Sequence, residues 1–138
     1  MGLTRTFRQS LASTLAVGLL LALTPDALAE TPSEIAAKAA ADSWLASTDA
    51  DRYAQVWQGT ASDVKKLTSQ REWERMISSQ RRPLGRTLSR KLVRILADID
   101  AAIITYQTSF ARKKSAAEML VVTRDSDGKW RISGYEIL

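Results

Sequence analysis

The sequence contains no cysteine and no histidine. Without cysteine the chain has no disulfide, no thiol nucleophile and no thiolate metal site. Without histidine it has no imidazole base, no Ser-His-Asp triad and no histidine-ligated zinc. Any catalysis would therefore depend on carboxylate, tyrosine and arginine side chains. Stability must come from an apolar core, because the cross-links that many small exported domains use are excluded.

Glycine is also scarce, with six residues among 138. The glycines after residue 29 are single and scattered, so the chain has no glycine-rich phosphate-binding loop. We find no internal repeat, low-complexity tract or linker. The length suffices for one apolar core and is too short for two ordinary domains.

The first 29 residues have the layout of a secretory signal peptide. Arg5 and Arg8 form a positive n-region, residues 11–23 (LASTLAVGLLLAL) form an uncharged apolar core, and residues 27–29 (Ala-Leu-Ala) provide a cleavage site. The apolar core is too short for an ordinary membrane span. We therefore predict cleavage after Ala29 and a periplasmic or secreted protein without a transmembrane span. The alternative is an uncleaved N-terminal anchor.

The rest of the chain divides into two parts with different patterns. Residues 30–82 are rich in alanine and charge, and their apolar residues have helical spacing. Residues 85–138 are rich in threonine, valine, isoleucine and aromatics, and they alternate as strands do. Helices followed by consecutive strands indicate an α+β fold, which we assign to a single domain of residues 30–138.

Capping patterns predict three helices in the first part. Residues 31–34 (Thr-Pro-Ser-Glu) combine an N-cap threonine, a proline at the first helical position and the glutamate of a capping box. Residues 53–57 indicate a short second helix that can end at Gly59. A third helix begins at the second capping box, residues 69–72, and ends before Pro83.

The second part contains three clear strand patterns. Ile104, Tyr106, Thr108 and Phe110 share one face of the first strand, and alternation continues through residues 117–123. Residues 125–128 (Asp-Ser-Asp-Gly) indicate a hairpin, after which residues 130–138 form the last strand.

Residues 86–99 fit two structures. Leu88, Leu92, Ile95 and Ile99 follow the period of a helix, with arginines on the opposite side. As a strand, the segment would place Leu88, Leu92 and two arginines on one face, which is poor binary patterning. Periodicity alone favours a helix.

Seven segments in fixed order resemble an exported bacterial family known as domain of unknown function 4019. They are WLASTDADRYAQVW (44–57), EW (72–73), RRPLG (81–85), SRKL (89–92), YQTSF (106–110), KKSAAEML (113–120) and DGKWRISGYEI (127–137).

This resemblance covers nearly all of residues 30–138. It implies a cystatin-like or nuclear-transport-factor-2-like fold, in which N-terminal helices pack on a curved antiparallel sheet of about four strands. It also implies that residues 86–97 form a strand, and we adopt that prediction against the helical period. The chain departs from the family at residues 98–101, where a longer loop with glycine or proline is expected. The resemblance supplies no reaction.

A basic stretch, RRPLGRTLSRKLVR, occupies residues 81–94 and contains six basic residues and no acid. Clustered lysine and arginine are typical of nucleic-acid binding. The predicted export argues against that function, as does the modest charge, since losing two arginines and one aspartate with residues 1–29 changes +5 to +4. We interpret Arg81 and Arg82 as cations at a helix C-terminus and Arg86, Lys91 and Arg94 as solvated strand or edge positions. We predict no specific nucleic-acid partner, and contact with anionic lipid headgroups or cell-wall polymers is the alternative.

Arg90 and Glu118 are charged residues that the strand patterns place among apolar neighbours. Each lies on a predicted strand beside apolar neighbours, Leu88 and Leu92 for Arg90 and Leu120 for Glu118. An unpaired buried charge is very costly. We therefore expect the two to point inward and pair, either as a structural bridge or as the polar floor of a pocket. Outward-facing charge is the remaining alternative.

Aromatic residues complete the set of candidate ligand-binding residues. At helical or strand spacing such residues usually belong to the core. Asp49 and Asp51 are interpreted as helix caps. The ligand-pocket candidates are Trp44, Tyr53, Trp57, Arg90, Tyr106, Glu118 and Trp130.

Three classes of function remain open. The first is a module that binds a small apolar or amphipathic ligand between helices and sheet. The second is an envelope interaction protein that acts through its sheet face or as a homodimer. The third and least favoured is an enzyme, since Glu118 is the lone carboxylate expected inside and a two-carboxylate scheme needs a second. No catalytic residue, metal or cofactor is predicted.

Overall fold

The computed structural model describes residues 29–138. The predicted signal peptide, apart from Ala29, lies outside the described residues. Among the described helices, none is long and apolar enough to cross a membrane. The elements in chain order are α1 (Pro32–Asp49), α2 (Tyr53–Gln58), α3 (Ser62–Leu67), α4 (Gln70–Arg81), a 3-10 turn (Arg82–Leu84), β1 (Thr87–Ala97), β2 (Ala101–Phe110), β3 (Lys113–Arg124) and β4 (Trp130–Ile137).

Both predicted capping boxes are present. The Thr31 N–H donates to Glu34 Oε2 at 2.7 Å, and the Glu34 N–H donates to Thr31 Oγ1 at 3.2 Å. Ser69 and Glu72 form the same reciprocal pair at the start of α4. These bonds satisfy N–H groups that have no partner within a helix. Helix α3 was not predicted. None of its residues is buried, so its side chains leave no apolar period.

Two glycines occupy positions that a side chain would disturb. Gly59 follows α2 with a φ of −80°, so its conformation does not require glycine. Glycine suits this position because space is limited: a Cβ there would lie 3.1 Å from Trp44 Cδ1. Gly85 adopts a φ of +76° in the turn into β1 and is the residue type suited to that left-handed conformation.

The four strands form an antiparallel sheet in the order β1-β2-β3-β4. Ile104, Tyr106, Thr108 and Phe110 are all buried on the inner face of β2, as the alternation predicts. A tight turn joins β1 to β2. In this turn the Asp98 carboxylate accepts hydrogen bonds from the backbone N–H groups of Asp100 and Ala101, at 3.0 and 2.8 Å. This tight turn stands where the family resemblance predicts a longer loop.

Strand β1 follows the resemblance and contradicts the helical period. Its pairing with β2 shifts register between Leu92 and Arg94, which is a β-bulge or a similar irregularity. The inward residues Leu92 and Ile95 are therefore three positions apart, as they would be in a helix. Leu92, Ile95 and Ala97 pack against the core. The register shift explains why periodicity alone favours the wrong structure here.

The expected inward position of Leu88 is wrong. Its side chain is 51 % exposed, whereas that of Arg90 is 15 % exposed. A second register shift lies between Thr87 and Ser89, which breaks the alternation between Leu88 and Arg90.

The core lies between the helices and the inner sheet face. The rings of Trp44 and Tyr135 are 5.0 Å apart at its centre. The free edge of β4 is covered by chain that follows α2, since the Ala61 N–H donates to the Ile132 carbonyl at 2.8 Å. Helix α4 covers the same edge through Gln80 Oε1, which accepts the Ile137 N–H at 3.1 Å.

Candidate functional site

Glu118 is completely buried at the centre of the inner sheet face. Its carboxylate accepts four hydrogen bonds, from Arg81 Nη1 at 2.9 Å, Arg90 Nε at 2.6 Å, Thr108 Oγ1 at 2.5 Å and Tyr135 OH at 2.6 Å. This number matches the lone-pair positions that a carboxylate offers. The expected pairing of Arg90 with Glu118 is therefore present, within a larger network.

Asp49 is the second carboxylate of this network. It accepts hydrogen bonds from Arg81 Nη2, from Arg90 Nη1 at 2.7 Å and Nη2 at 3.1 Å, and from Thr87 Oγ1 at 2.9 Å. We call Asp49, Arg81, Arg90 and Glu118 the arginine–carboxylate cluster. Two guanidinium groups balance two carboxylates, so the cluster carries no net charge.

The interpretation of Asp49 and Asp51 as helix caps is wrong. Asp49 is the last residue of α1 and turns toward the sheet. Asp51 adopts a φ of 54° in the following turn. The N-cap of α2 is Arg52, which makes no side-chain capping bond.

The cluster joins elements that are distant in the chain. Asp49 ends α1, Arg81 ends α4, Arg90 lies on β1 and Glu118 lies on β3. Hydroxyl groups from β1, β2 and β4 complete it. Because buried charges are costly unless paired and hydrogen-bonded, this geometry holds both helices in one position against the sheet.

The surroundings shift the pKa values of two groups in this network, Asp49 and Tyr135. Burial raises the pKa of Asp49, but hydrogen bonds and positive charge from Arg90 and Arg81 outweigh burial and leave it below the usual 3.8. Burial and the negative charge of Glu118 raise the pKa of Tyr135. Tyr135 therefore remains a hydroxyl donor to Glu118 at neutral pH.

The lowered pKa of Asp49 predicts acid-sensitive stability. A carboxyl group with a depressed folded pKa stabilises the fold above its unfolded pKa, near 3.8, and loses that contribution as pH falls through the folded pKa. We expect the stability difference between wild type and Asp49→Asn to shrink as pH falls below about 4. Urea unfolding of both proteins from neutral to acidic pH measures it. A difference that stays constant would contradict the role of the Asp49 charge. Asp127, whose pKa its partner Arg131 lowers to about 2, is common to both proteins and cancels.

A surface groove of about 370 Å³ opens beside the cluster, between α1 and the first two strands. Tyr106 OH donates to Asp42 Oδ1 at 2.6 Å, and Lys38 Nζ lies 2.6 Å from Asp42 Oδ2. The charged groups of the groove are thus paired with one another. Its lining residues are Lys38, Asp42, Leu45, Ala46, Asp49, Arg90, Leu92 and Tyr106.

The sequence candidates for a ligand pocket separate into different places. Arg90, Glu118 and Tyr106 lie close together at the cluster and the groove. Trp44 is buried in the core, where Nε1 donates to the Val56 carbonyl at 3.1 Å. The other three candidates are partly buried against the core. Tyr53 also lines a cleft of about 210 Å³ with Arg81 and Arg82, Lys65 Nζ lies 5.4 Å from the Trp57 ring centroid, and Trp130 is the strand partner of Arg124. Their ligand role stays a prediction.

The predicted position of Arg81 at a helix C-terminus is confirmed, because it is the last residue of α4, but its burial was not predicted. It is 8 % exposed, and its guanidinium carbon lies 5.0 Å from the Phe110 ring centroid. A signal was available, because Trp73, Ile77 and Arg81 are four residues apart and so share one helix face. Asp49, Thr87, Thr108 and Tyr135 were also missed as cluster members, and their proximity depends on the sheet register.

The outer face of the sheet, opposite the helices, carries exposed apolar side chains. Leu96 is 48 % exposed and Ile103 is 44 % exposed. The pairing register continues this row from Leu96 through Ile103 and Val121 to Gly134. A shallow groove of about 410 Å³ runs along Leu96, Ile103 and Val121. We call these four positions the outer-face row.

Comparison with known proteins identifies the family. The sequence matches the family described as Protein of unknown function (DUF4019) over residues 40–135. The chain belongs to the DUF4019 family. The resemblance found in the sequence is therefore confirmed. No curated protein matches this DUF4019 chain.

A solved structure supports the predicted α+β fold. It is a protein from Shewanella frigidimarina NCIMB 400, described as a candidate ketosteroid isomerase, with 16 % sequence identity and a TM-score of 0.53. The match covers 75 % of the DUF4019 chain and 94 % of that protein. At this identity the likeness establishes the shared fold and nothing about the reaction. Helices followed by a curved antiparallel sheet of four strands are thus confirmed.

Proposed function

We propose that this DUF4019 protein is an exported, non-catalytic interaction module of the bacterial envelope that binds a partner through the outer face of its sheet. The observation that carries the proposal is the outer-face row, in which Leu96 and Ile103 are 48 % and 44 % exposed. Contiguous exposed apolar surface is typical of protein interaction sites. The signal-peptide layout of residues 1–29 supports export.

The inner side of the sheet favours this proposal over an internal ligand cavity. Trp44 and Tyr135 pack in contact there, and the arginine–carboxylate cluster lies beside them, since Tyr135 OH donates to the buried Glu118 at 2.6 Å. Glu118 already accepts four hydrogen bonds and Asp49 is held by both arginines. A general base needs a free lone pair within reach of its substrate. These carboxylates instead act as structural acceptors.

A second candidate function is the binding of a small amphipathic ligand in the groove beside the cluster. The observation that favours it is the mixed lining, with Leu45 and Leu92 as apolar walls and Lys38 and Arg90 as cations. Such a mixture is typical of small-molecule sites. The charges of the groove are already paired, so a charged ligand would have to exchange those pairs.

Site-specific photo-crosslinking in living cells tests the proposal. A photoreactive residue at Ile103 should give a crosslinked adduct in the periplasm. The same residue at Leu67, which is 88 % exposed on α3, is the matched control and should give none. A probe at Ala46 reports on the groove. Equal adducts at the two exposed positions, or none at Ile103, would refute a specific outer-face partner.

The protein recovered from the periplasm in this experiment also tests the proposed export. Mass spectrometry of the periplasmic protein should find a mature N-terminus at Glu30. An N-terminus at Met1 or a cytoplasmic location would contradict the export part of the proposal.

A further inference from the structure

We propose that the outer face binds a second copy of this chain, packed face to face about a two-fold axis that runs parallel to the strands between β2 and β3. This inference rests on the proposed function and names the partner of the same surface. The axis places β1 of one copy over β4 of the other, and β2 over β3. Shape and charge along two rows of the sheet favour this arrangement.

The outer-face row is complementary to itself under this rotation. The register aligns Leu96, Ile103, Val121 and Gly134 across the four strands. The axis brings the projecting Leu96 of one copy over Gly134 of the second copy, which has no side chain. Gly134 therefore has no side chain to oppose Leu96, and Val121 flanks it, with Cγ2 3.3 Å from the position that a Cβ would take. At the centre, Ile103 of each copy lies over Val121 of the second copy.

The adjacent row is complementary in charge. The register aligns Arg94, Thr105, Met119 and Glu136, with the cation on β1 and the anion on β4. The same axis places Arg94 of each copy over Glu136 of the second copy. One rotation therefore satisfies both rows, giving an apolar centre and a charged rim, which is the usual anatomy of an interface.

The two-fold axis at right angles to this one, within the interface, fits less well. This axis is perpendicular to the strands and places β1 over β1 of the second copy. Lys91 and Arg94 of both copies would then lie along the same line, and like charges across an interface oppose association. The favoured axis leaves the strands of the two sheets nearly aligned, about 10 Å apart, as in known sheet-on-sheet packing.

A charge-swap experiment tests the axis. Protein expressed from the full-length gene and purified from the periplasm is measured by sedimentation equilibrium. We expect wild type to dimerise. Arg94→Glu and Glu136→Arg should each raise the dissociation constant about tenfold or more, because each variant opposes like charges. The double variant should restore dimerisation to within about threefold of wild type, since it re-forms the opposite-charge pairs.

Two further variants separate the interface from the fold. Ile103→Asp should abolish the dimer, whereas the matched exposed control Leu67→Asp should leave it unchanged. Circular dichroism confirms that each variant is folded. A dimer that the double swap does not rescue would overturn the proposed axis.

The results that would overturn the proposed function differ from those that would overturn the second copy as partner. A wild-type monomer up to about 0.1 mM, a concentration that detects even weak association, overturns the second copy as partner. If Ile103 nevertheless crosslinks to another protein, the interaction module stands and its partner is that protein. A monomer without any adduct at Ile103 would refute both proposals.

Discussion

Replacing Glu118 by glutamine is expected to lower the free energy of unfolding by about 3 kcal/mol or more, the usual cost of breaking a buried ion pair. The carboxylate is completely buried and binds Arg81 and Arg90, whose side chains are 9 % and 15 % exposed. Glutamine keeps the shape but removes the charge. Asp49 is then the remaining carboxylate in the cluster for two guanidinium groups. Urea unfolding at neutral pH measures the loss.

A double-mutant cycle with Arg90→Met identifies the physical cause. Each single variant leaves the arginine–carboxylate cluster with one unbalanced charge. The double variant leaves Arg81 with Asp49, so the charges balance again. We expect the double variant to lose at least about 1 kcal/mol less than the sum of the singles, within the range of coupled neighbours. The exposed Lys66–Asp63 pair is the control, whose neutralisation should change stability within experimental scatter.

Additive effects in this cycle would contradict the charge-balance argument. A different outcome would favour a ligand site at Arg90 and Glu118. In that case the single variants would lose less than about 1 kcal/mol, as expected for solvated charges, while ligand binding in the groove would disappear.

Replacing Trp44 by alanine is expected to cost about 3–5 kcal/mol of stability, as for other large aromatic residues in a core. The side chain is 2 % exposed, and its ring lies 5.0 Å from that of Tyr135. Removing the indole leaves a cavity and also removes the 3.1 Å hydrogen bond that the Nε1–H donates to the Val56 carbonyl. Urea unfolding followed by far-UV circular dichroism is the measurement, since tryptophan fluorescence changes with the substitution.

Two substitutions serve as controls for Trp44. Trp44→Phe retains ring packing and loses the hydrogen bond, so its cost should be well below that of alanine. Trp57→Ala removes an indole that is only partly buried at the edge of the core. It should cost less than half as much, because less apolar area leaves contact with the protein. If Trp57→Ala proves as costly as Trp44→Ala, the central position assigned to Trp44 is wrong.

The outline of the fold could be predicted because its signals are local. A capping box is complete within four residues, so Thr31 with Glu34 and Ser69 with Glu72 mark helix starts in the sequence itself. Strand β2 alternates without interruption, so its buried face was also predictable. Helix α3 has no buried side chain and therefore gave no pattern to find.

Strand β1 shows where pattern analysis fails. A register shift changes which residues point inward without leaving a mark in the sequence, so Leu92 and Ile95 imitate a helical period. The family resemblance gave the strand correctly, because it compares whole segments rather than spacing. Neither argument predicted that Leu88 is exposed.

The sequence by itself determined the exclusion of thiol and imidazole chemistry, the division into N-terminal helices and C-terminal strands, and the need for a partner at Arg90 and Glu118. These conclusions depend on residue type and on short-range spacing. The tertiary structure alone decided that Asp49 and Arg81 complete the cluster and that Leu96, Ile103, Val121 and Gly134 form one row. Such neighbours are far apart in the chain, and their contacts exist only once strand register and helix packing bring them together.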